Sequence, residues 1–288
     1  MPPGTLTNRP DRLTGPRTRV LNVSTAPVLR PLGVGEILDS ALAVYRRHAF
    51  ALWRVVAVVV ALPAALNGAL AVAARQVGDA RANSGSLLLL ELLVVIVSLV
   101  ATSLATAAAY RLVADAYLGR PVDPDASLRF GLQRLASVMW VSLLFGLGVF
   151  VGFLFLIVPG IFLMVAWAVA TPVLLAENLR GSKALRRSRA LVRGRWWPCA
   201  GVVYLMYLLE GIVYLGILVV IGQIVDSSGN DSVLFVEKGV TSLIASTLVL
   251  PFHVAVTTVL YIDLRVRKEG FDVQLLTHSL EPGGAGVT

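Results

Sequence analysis

Cysteine occurs once in the 288 residues, at Cys199. No internal disulfide and no cysteine-rich metal site can form. Histidine is almost as scarce. His48, His253 and His278 are scattered, and none has the spacing of a ligand pair on one helical turn. Charge is thin too: 15% of residues are Asp, Glu, Lys or Arg, against about a quarter in soluble domains. The sequence holds no Gly-rich phosphate loop, no metalloprotease helix motif and no recognisable Ser/His/Asp arrangement. These absences argue against an enzyme and against a bound cofactor or metal. The first 48 residues contain no apolar stretch of signal-peptide type, so the first apolar run is expected to serve as its own membrane signal.

What is abundant is apolar surface. Hydrophobic residues make up 57% of the chain and the mean hydropathy is +0.79. A protein of this size has no single core able to take in that much, so lipid is its expected solvent. A crossing helix needs about 20 apolar residues. Six segments meet or approach that length: 55–74, 87–110, 137–158, 160–176, 198–225 and 239–262. The fourth is the shortest and follows a turn at Pro159-Gly160. The third and fourth could form one re-entrant hairpin, but their combined length favours two crossings. The predicted fold is an all-α polytopic bundle. A basic, Pro-rich disordered tail (1–31) precedes the membrane domain (32–275), and a Gly-rich flexible tail (276–288) follows it.

Lys and Arg favour the cytosolic side of membrane proteins. With the N-terminus inside, every one of the 25 basic residues falls on inner segments except Arg75, Arg81 and Lys238. This predicts a multi-pass protein of the cell membrane with both termini cytosolic. The net charge of +8 then reports orientation rather than a nucleic-acid partner.

Each outward-going span follows a short basic amphipathic segment: 35–48, 125–136 and 182–195. The expected apolar faces are Leu38, Leu42 and Tyr45, then Leu128, Leu132, Leu135 and Met139, then Leu185 and Val192. Such segments lie in the interface with arginines toward headgroups. Ser40, Arg47 and Trp53 match Ser127, Arg134 and Trp140 without a gap, and Ser182, Arg189 and Trp196 with a one-residue slip. Three units are predicted, each an interfacial helix plus a hairpin. The alternative is that any inner loop before a span looks basic and amphipathic.

Glu210 lies deep in the fifth span and His253 at a similar depth in the sixth. A carboxylate there costs several kcal/mol unless paired, protonated or wet. The two are expected to form a polar pair, either a proton- or ligand-linked site or a structural hydrogen bond between helices. Tyr204, Tyr207, Tyr214, Thr257 and Thr258 are candidates to complete it. Glu91 is expected at the interface, and Asn67 is expected to join helices. Pro63, Pro172 and Pro251 interrupt spans, and Gly148 with Gly152 forms a close-packing face. Arg186, Arg187, Arg189, Arg193 and Arg195 are the densest basic cluster, suited to anionic headgroups or simply to setting topology. The acidic loop 226–231 lacks the full calcium-loop ligand set.

Four segments carry a resemblance. They are Arg30-Pro-Leu-Gly-Val-Gly-Glu-Ile-Leu-Asp39 with Tyr45-Arg-Arg47; Val158-Pro-Gly-Ile-Phe162 leading to Trp167; Ala184-Leu-Arg-Arg-Ser188 with Leu191-Val-Arg-Gly-Arg-Trp-Trp197; and Tyr261-Ile-Asp-Leu-Arg-Val-Arg-Lys-Glu-Gly-Phe-Asp272. Together they resemble the stand-alone actinobacterial proteins named for the membrane domain of glycerophosphoryl diester phosphodiesterase. The resemblance implies a six-helix membrane domain. It implies no catalysis, because these residues include no stretch for the roughly 250-residue barrel. A non-enzymatic accessory, scaffold or lipid-associated subunit is the expected role, with a transporter using Glu210 and His253 as the alternative. Expected partners are the bilayer, anionic headgroups, and a membrane protein or second copy.

Overall fold

The computed structural model describes residues 31–78, 84–224 and 230–270. Residues 1–30 of the first tail, the whole 276–288 tail, Arg81 and most of the 226–231 loop lie outside them. Among the described residues the structure is helices joined by short turns, with no strand. The helices are α1 (Val34–Arg47), α2 (Ala49–Gly78), α3 (Ser84–Tyr117), α4 (Pro124–Phe155), α5 (Ile157–Ala166), α6 (Ala170–Glu177), α7 (Ser182–Val192), α8 (Trp196–Ile224) and α9 (Asp231–Glu269). Six helical segments are long and apolar enough to cross a membrane, with α5 and α6 together making the fourth. In lipid every backbone group must be satisfied within the chain, and the helix does so locally.

Helix α9 is the hub. It packs along α2, α8, α1 and α3, while α4 packs against α3 and α5. Half of the most apolar window of α9 is buried, against 6% of that of α8, so α8 stands at the periphery. One end of the bundle is strongly basic. There the Leu32 N–H donates to Asp263 at 2.7 Å, Lys268 donates to the carbonyls of Ala190 and Arg193, and Arg54 faces Asp125. At the opposite end Arg75 and Gln76 of α2 reach Asp231 at the start of α9.

All three basic segments therefore lie at one end of the bundle, as a repeat requires. Two are separate helices, α1 and α7. The middle one runs unbroken into α4, because nothing between Ala136 and Trp140 breaks a helix. By contrast α1 ends at His48, and α7 ends before Gly194, whose φ of +86° suits glycine alone. The shared burial pattern also differs from the sequence register. Ile37 and Ala41 are buried as Ser127 and Gly131 are, and as Ala184 and Ser188 are. That register is three residues off the pairing of Ser40 with Ser127. The first unit takes up the extra residues at its break near His48.

In the third segment the expected Leu185 and Val192 are both buried, but in the first two the buried face is not the leucine face. Leu42 and Leu132 are exposed, and small residues beside them face the protein. A Cβ on Gly131 would stand 3.0 Å from the Leu104 carbonyl. In lipid a leucine gains nothing by turning inward, and small residues let helices approach.

The reversal between α4 and α5 falls at Leu156, three residues before the expected Pro159-Gly160 turn. Pro159 sits instead in the first turn of α5, where its missing N–H is not needed. The fourth span is broken at residues 167–169. Pro172 accounts for the break: it lacks an N–H, and its ring crowds the carbonyl four residues back, at Ala168.

Candidate functional site

Glu210 is the central residue of α8, 14 residues from Trp196, or about 21 Å along the axis. His253 lies 16 residues before the end of α9, about 24 Å on the same rule. α8 starts at the basic end and α9 finishes there, so the two residues lie at similar depth and meet. Nδ1 of His253 lies 3.1 Å from Oε1 of Glu210. The Glu210 side chain is 11% exposed and that of His253 35%. Tyr207, one turn before Glu210, places its ring 5.8 Å from the imidazole. The second carboxylate oxygen and Nε2 have no partner among the described residues.

These residues open onto a cavity of about 660 Å³ between α3, α4, the broken fourth span, α8 and α9. Among the described residues Glu210 and His253 are its only acidic or basic lining side chains. Trp167 and Ala168 of the break line it, with Tyr214, Thr257 and Tyr110. The other expected members stand elsewhere: Tyr204 is 67% exposed, and Thr258 is fully buried with its hydroxyl unpaired. Trp167 and Tyr110 escaped sequence reading because they come from other helices. The signal for Trp167 was Pro172, which marks the break. Gly148 positions it, since a Cβ there would stand 2.4 Å from the Trp167 ring. A Cβ on Gly152 would stand 3.0 Å from the backbone of Gly160.

A second polar cluster ties α6, α7 and α9 at the basic end. Arg187 Nε donates to Glu177 at 2.8 Å, and its Nη2 donates to Glu269. Arg265 donates to Glu269 at 3.0 Å, and the Tyr261 hydroxyl to Glu177 at 3.2 Å. The Glu177 carboxylate, with Glu269 behind it, raises the Arg187 pKa above its ordinary value. Arg187 thus points inward, away from the other arginines of its cluster. Arg186, Arg189 and Arg193 line an outer groove, and Arg195 sits in the turn before α8. Glu91 is exposed on α3, and Asn67 donates to the Pro63 carbonyl of its own helix rather than joining two helices. Asn230 caps α9 through the Ser232 N–H. No cluster of three metal-ligating side chains occurs among the described residues.

The four quoted sequence segments meet in pairs. Leu32 of the first meets Asp263 and Arg267 of the last. Ser188 of the third donates to the Ala166 carbonyl beside the second, and Phe162 stacks on Trp196. Their residues dock helices.

The fold and these sites define a polytopic, all-helical membrane protein. The chain belongs to the family described as a domain of unknown function (DUF8558), which matches residues 128–282, from α4 past the end of α9. No curated protein and no solved structure matches it.

Proposed function

We propose that this is a non-enzymatic protein of the cell membrane, with both termini cytosolic, that holds a small positively charged amphiphile in its intramembrane cavity. The observation that carries this reading is the Glu210–His253 pair, set at mid-helix with unused hydrogen-bonding atoms facing open space. A polar pair serving only to join two helices needs no cavity. Among the described residues no Lys or Arg lines the space, so with His253 neutral an anionic ligand would meet a carboxylate without compensation. A delocalised cation would meet that carboxylate and the faces of Tyr207, Tyr214 and Trp167, and cation–π attraction strengthens when desolvated. The orientation rests on the Lys/Arg bias alone. The resemblance to the phosphodiesterase membrane-domain proteins supports a membrane domain and assigns no catalytic step.

Movement of the ligand is the second reading. The break at 167–169 favours it, because interrupted helices at mid-membrane are how many transporters build their sites. The test uses purified full chain in mild detergent, with tetraphenylphosphonium and its equally shaped anion tetraphenylborate as probes. Wild type should bind the cation at least tenfold more tightly than Glu210→Gln does, and more tightly than it binds the anion. Equal cation binding by Glu210→Gln rejects the cavity site. A protein that co-purifies at fixed stoichiometry regardless of that mutation would then favour an accessory subunit. Uptake of the cation into vesicles, lost in Glu210→Gln, would separate transport from holding.

A further inference from the structure

The basic end carries two kinds of arginine. Arg187, Arg265 and Arg267 are each bound to carboxylates. Arg186, Arg189 and Arg193 are not: among the described residues none has a carboxylate partner. These three line a groove of about 600 Å³ between α5, α7 and the start of α8, and no acidic residue among the described ones lines it. Its floor is aromatic. Phe162 and Trp196 stack with ring centroids 6.2 Å apart and planes 15° apart. The Arg189 guanidinium lies 5.6 Å from the Phe162 centroid. The indole N–H of Trp196 is buried and meets no acceptor among the described residues. Beside it Trp197 is 80% exposed, as an anchor at the membrane–water boundary would be.

Three arginines lining one groove without an acid repel one another. An anionic ligand relieves that repulsion. A phosphate oxygen accepts from guanidinium groups in paired, planar geometry. We infer that this groove is a binding site for the phosphate headgroup of an anionic phospholipid. A lipid is favoured over a free anion because the groove floor continues onto the exposed apolar surface of α5, where Phe162 and Ile161 offer a path for an acyl chain. The site is separate from the Glu210 cavity and stands whether or not that cavity binds a cation.

The experiment is native mass spectrometry and thermal-shift titration of the full chain with phosphatidylglycerol, phosphatidylcholine and inorganic phosphate. The groove variant is Arg189→Gln/Arg193→Gln. The control, Arg46→Gln/Arg47→Gln, removes the same charge from α1. Phosphatidylglycerol affinity should fall tenfold or more in the groove variant and less than twofold in the control, and phosphatidylcholine should bind at least tenfold more weakly to wild type. Arg189→Lys/Arg193→Lys keeps the charge, guards against a folding defect, and should still lose at least threefold because paired hydrogen bonding is gone. Equal loss in the control would reduce the groove to general surface charge. Equal binding of phosphatidylcholine would remove headgroup selection, and inorganic phosphate competing as strongly as the lipid would make it a free-anion site.

Discussion

Two polar clusters share α9 and differ in how completely they are used. At the basic end Glu177, Arg187, Arg265, Glu269 and Tyr261 bind one another from three helices. Two acids face two guanidinium groups, so the charges balance. At mid-helix Glu210 and His253 have only each other, with open space on the other side. A closed network fixes helices in place. A half-used pair beside a cavity has capacity left for a ligand. Burial alone does not separate the two clusters; the remaining hydrogen-bonding atoms do.

The largest expected effect tests the closed cluster. Arg187→Ala leaves Glu177 and Glu269 without their main partner. Stranding a buried charge costs about 3–5 kcal/mol, and Arg187 is 29% exposed, so the lower end is expected. A melt of the purified protein should show a large fall in Tm, while the neighbouring Arg186→Ala should leave Tm nearly unchanged. Equal effects would erase the distinction between inward and outward arginines.

Next comes the wall of the cavity. Gly148→Ala drives a methyl group into the Trp167 ring, an overpacking cost of about 1–3 kcal/mol. Gly216→Ala on α8 meets nothing within 4 Å and should be neutral or slightly stabilising. If Gly148→Ala melts as wild type does, the Trp167 position is wrong.

The open pair should matter little for stability. Glu210→Gln is expected to cost about 0.6 kcal/mol, the average for hydrogen bonds between membrane helices, while abolishing cation preference. A Tm loss matching that of Arg187→Ala would make the pair structural and collapse the comparison.

The smallest effect concerns Asp123, which caps α4 outside the span by accepting from the N–H groups of Asp125 and Ala126. The Ala126 N–H chiefly holds its carboxyl below the ordinary 3.8. A depressed carboxyl contributes stability above pH 3.8 and loses it as pH falls through its lowered value. Wild type should therefore lose slightly more Tm than Asp123→Asn on acidification below that range. Parallel Tm profiles would remove the cap's titration from the account.

Much of this was legible in one dimension. The depth match of Glu210 with His253 followed from counting residues inward from the basic end, where one helix starts and the other finishes. The inward turn of Arg187 did not, because five arginines within ten residues look alike until Glu177 and Glu269 approach from other helices. The leucine faces of the first two basic segments misled, unlike that of the third, for a reason particular to membranes: apolarity marks contact with lipid as readily as contact with protein.

The sequence by itself determined that this chain is a bundle of six apolar segments, which end of it is basic, and which few polar residues sit deep. Those properties depend on local length and composition, since the bilayer fixes how long an apolar run must be. Only the tertiary structure decided which arginines are neutralised, where the fourth span breaks against Gly148, and that a cavity opens beside Glu210. These depend on the rotation of each helix about its own axis and on close approach between distant residues, which no run of neighbouring residues encodes.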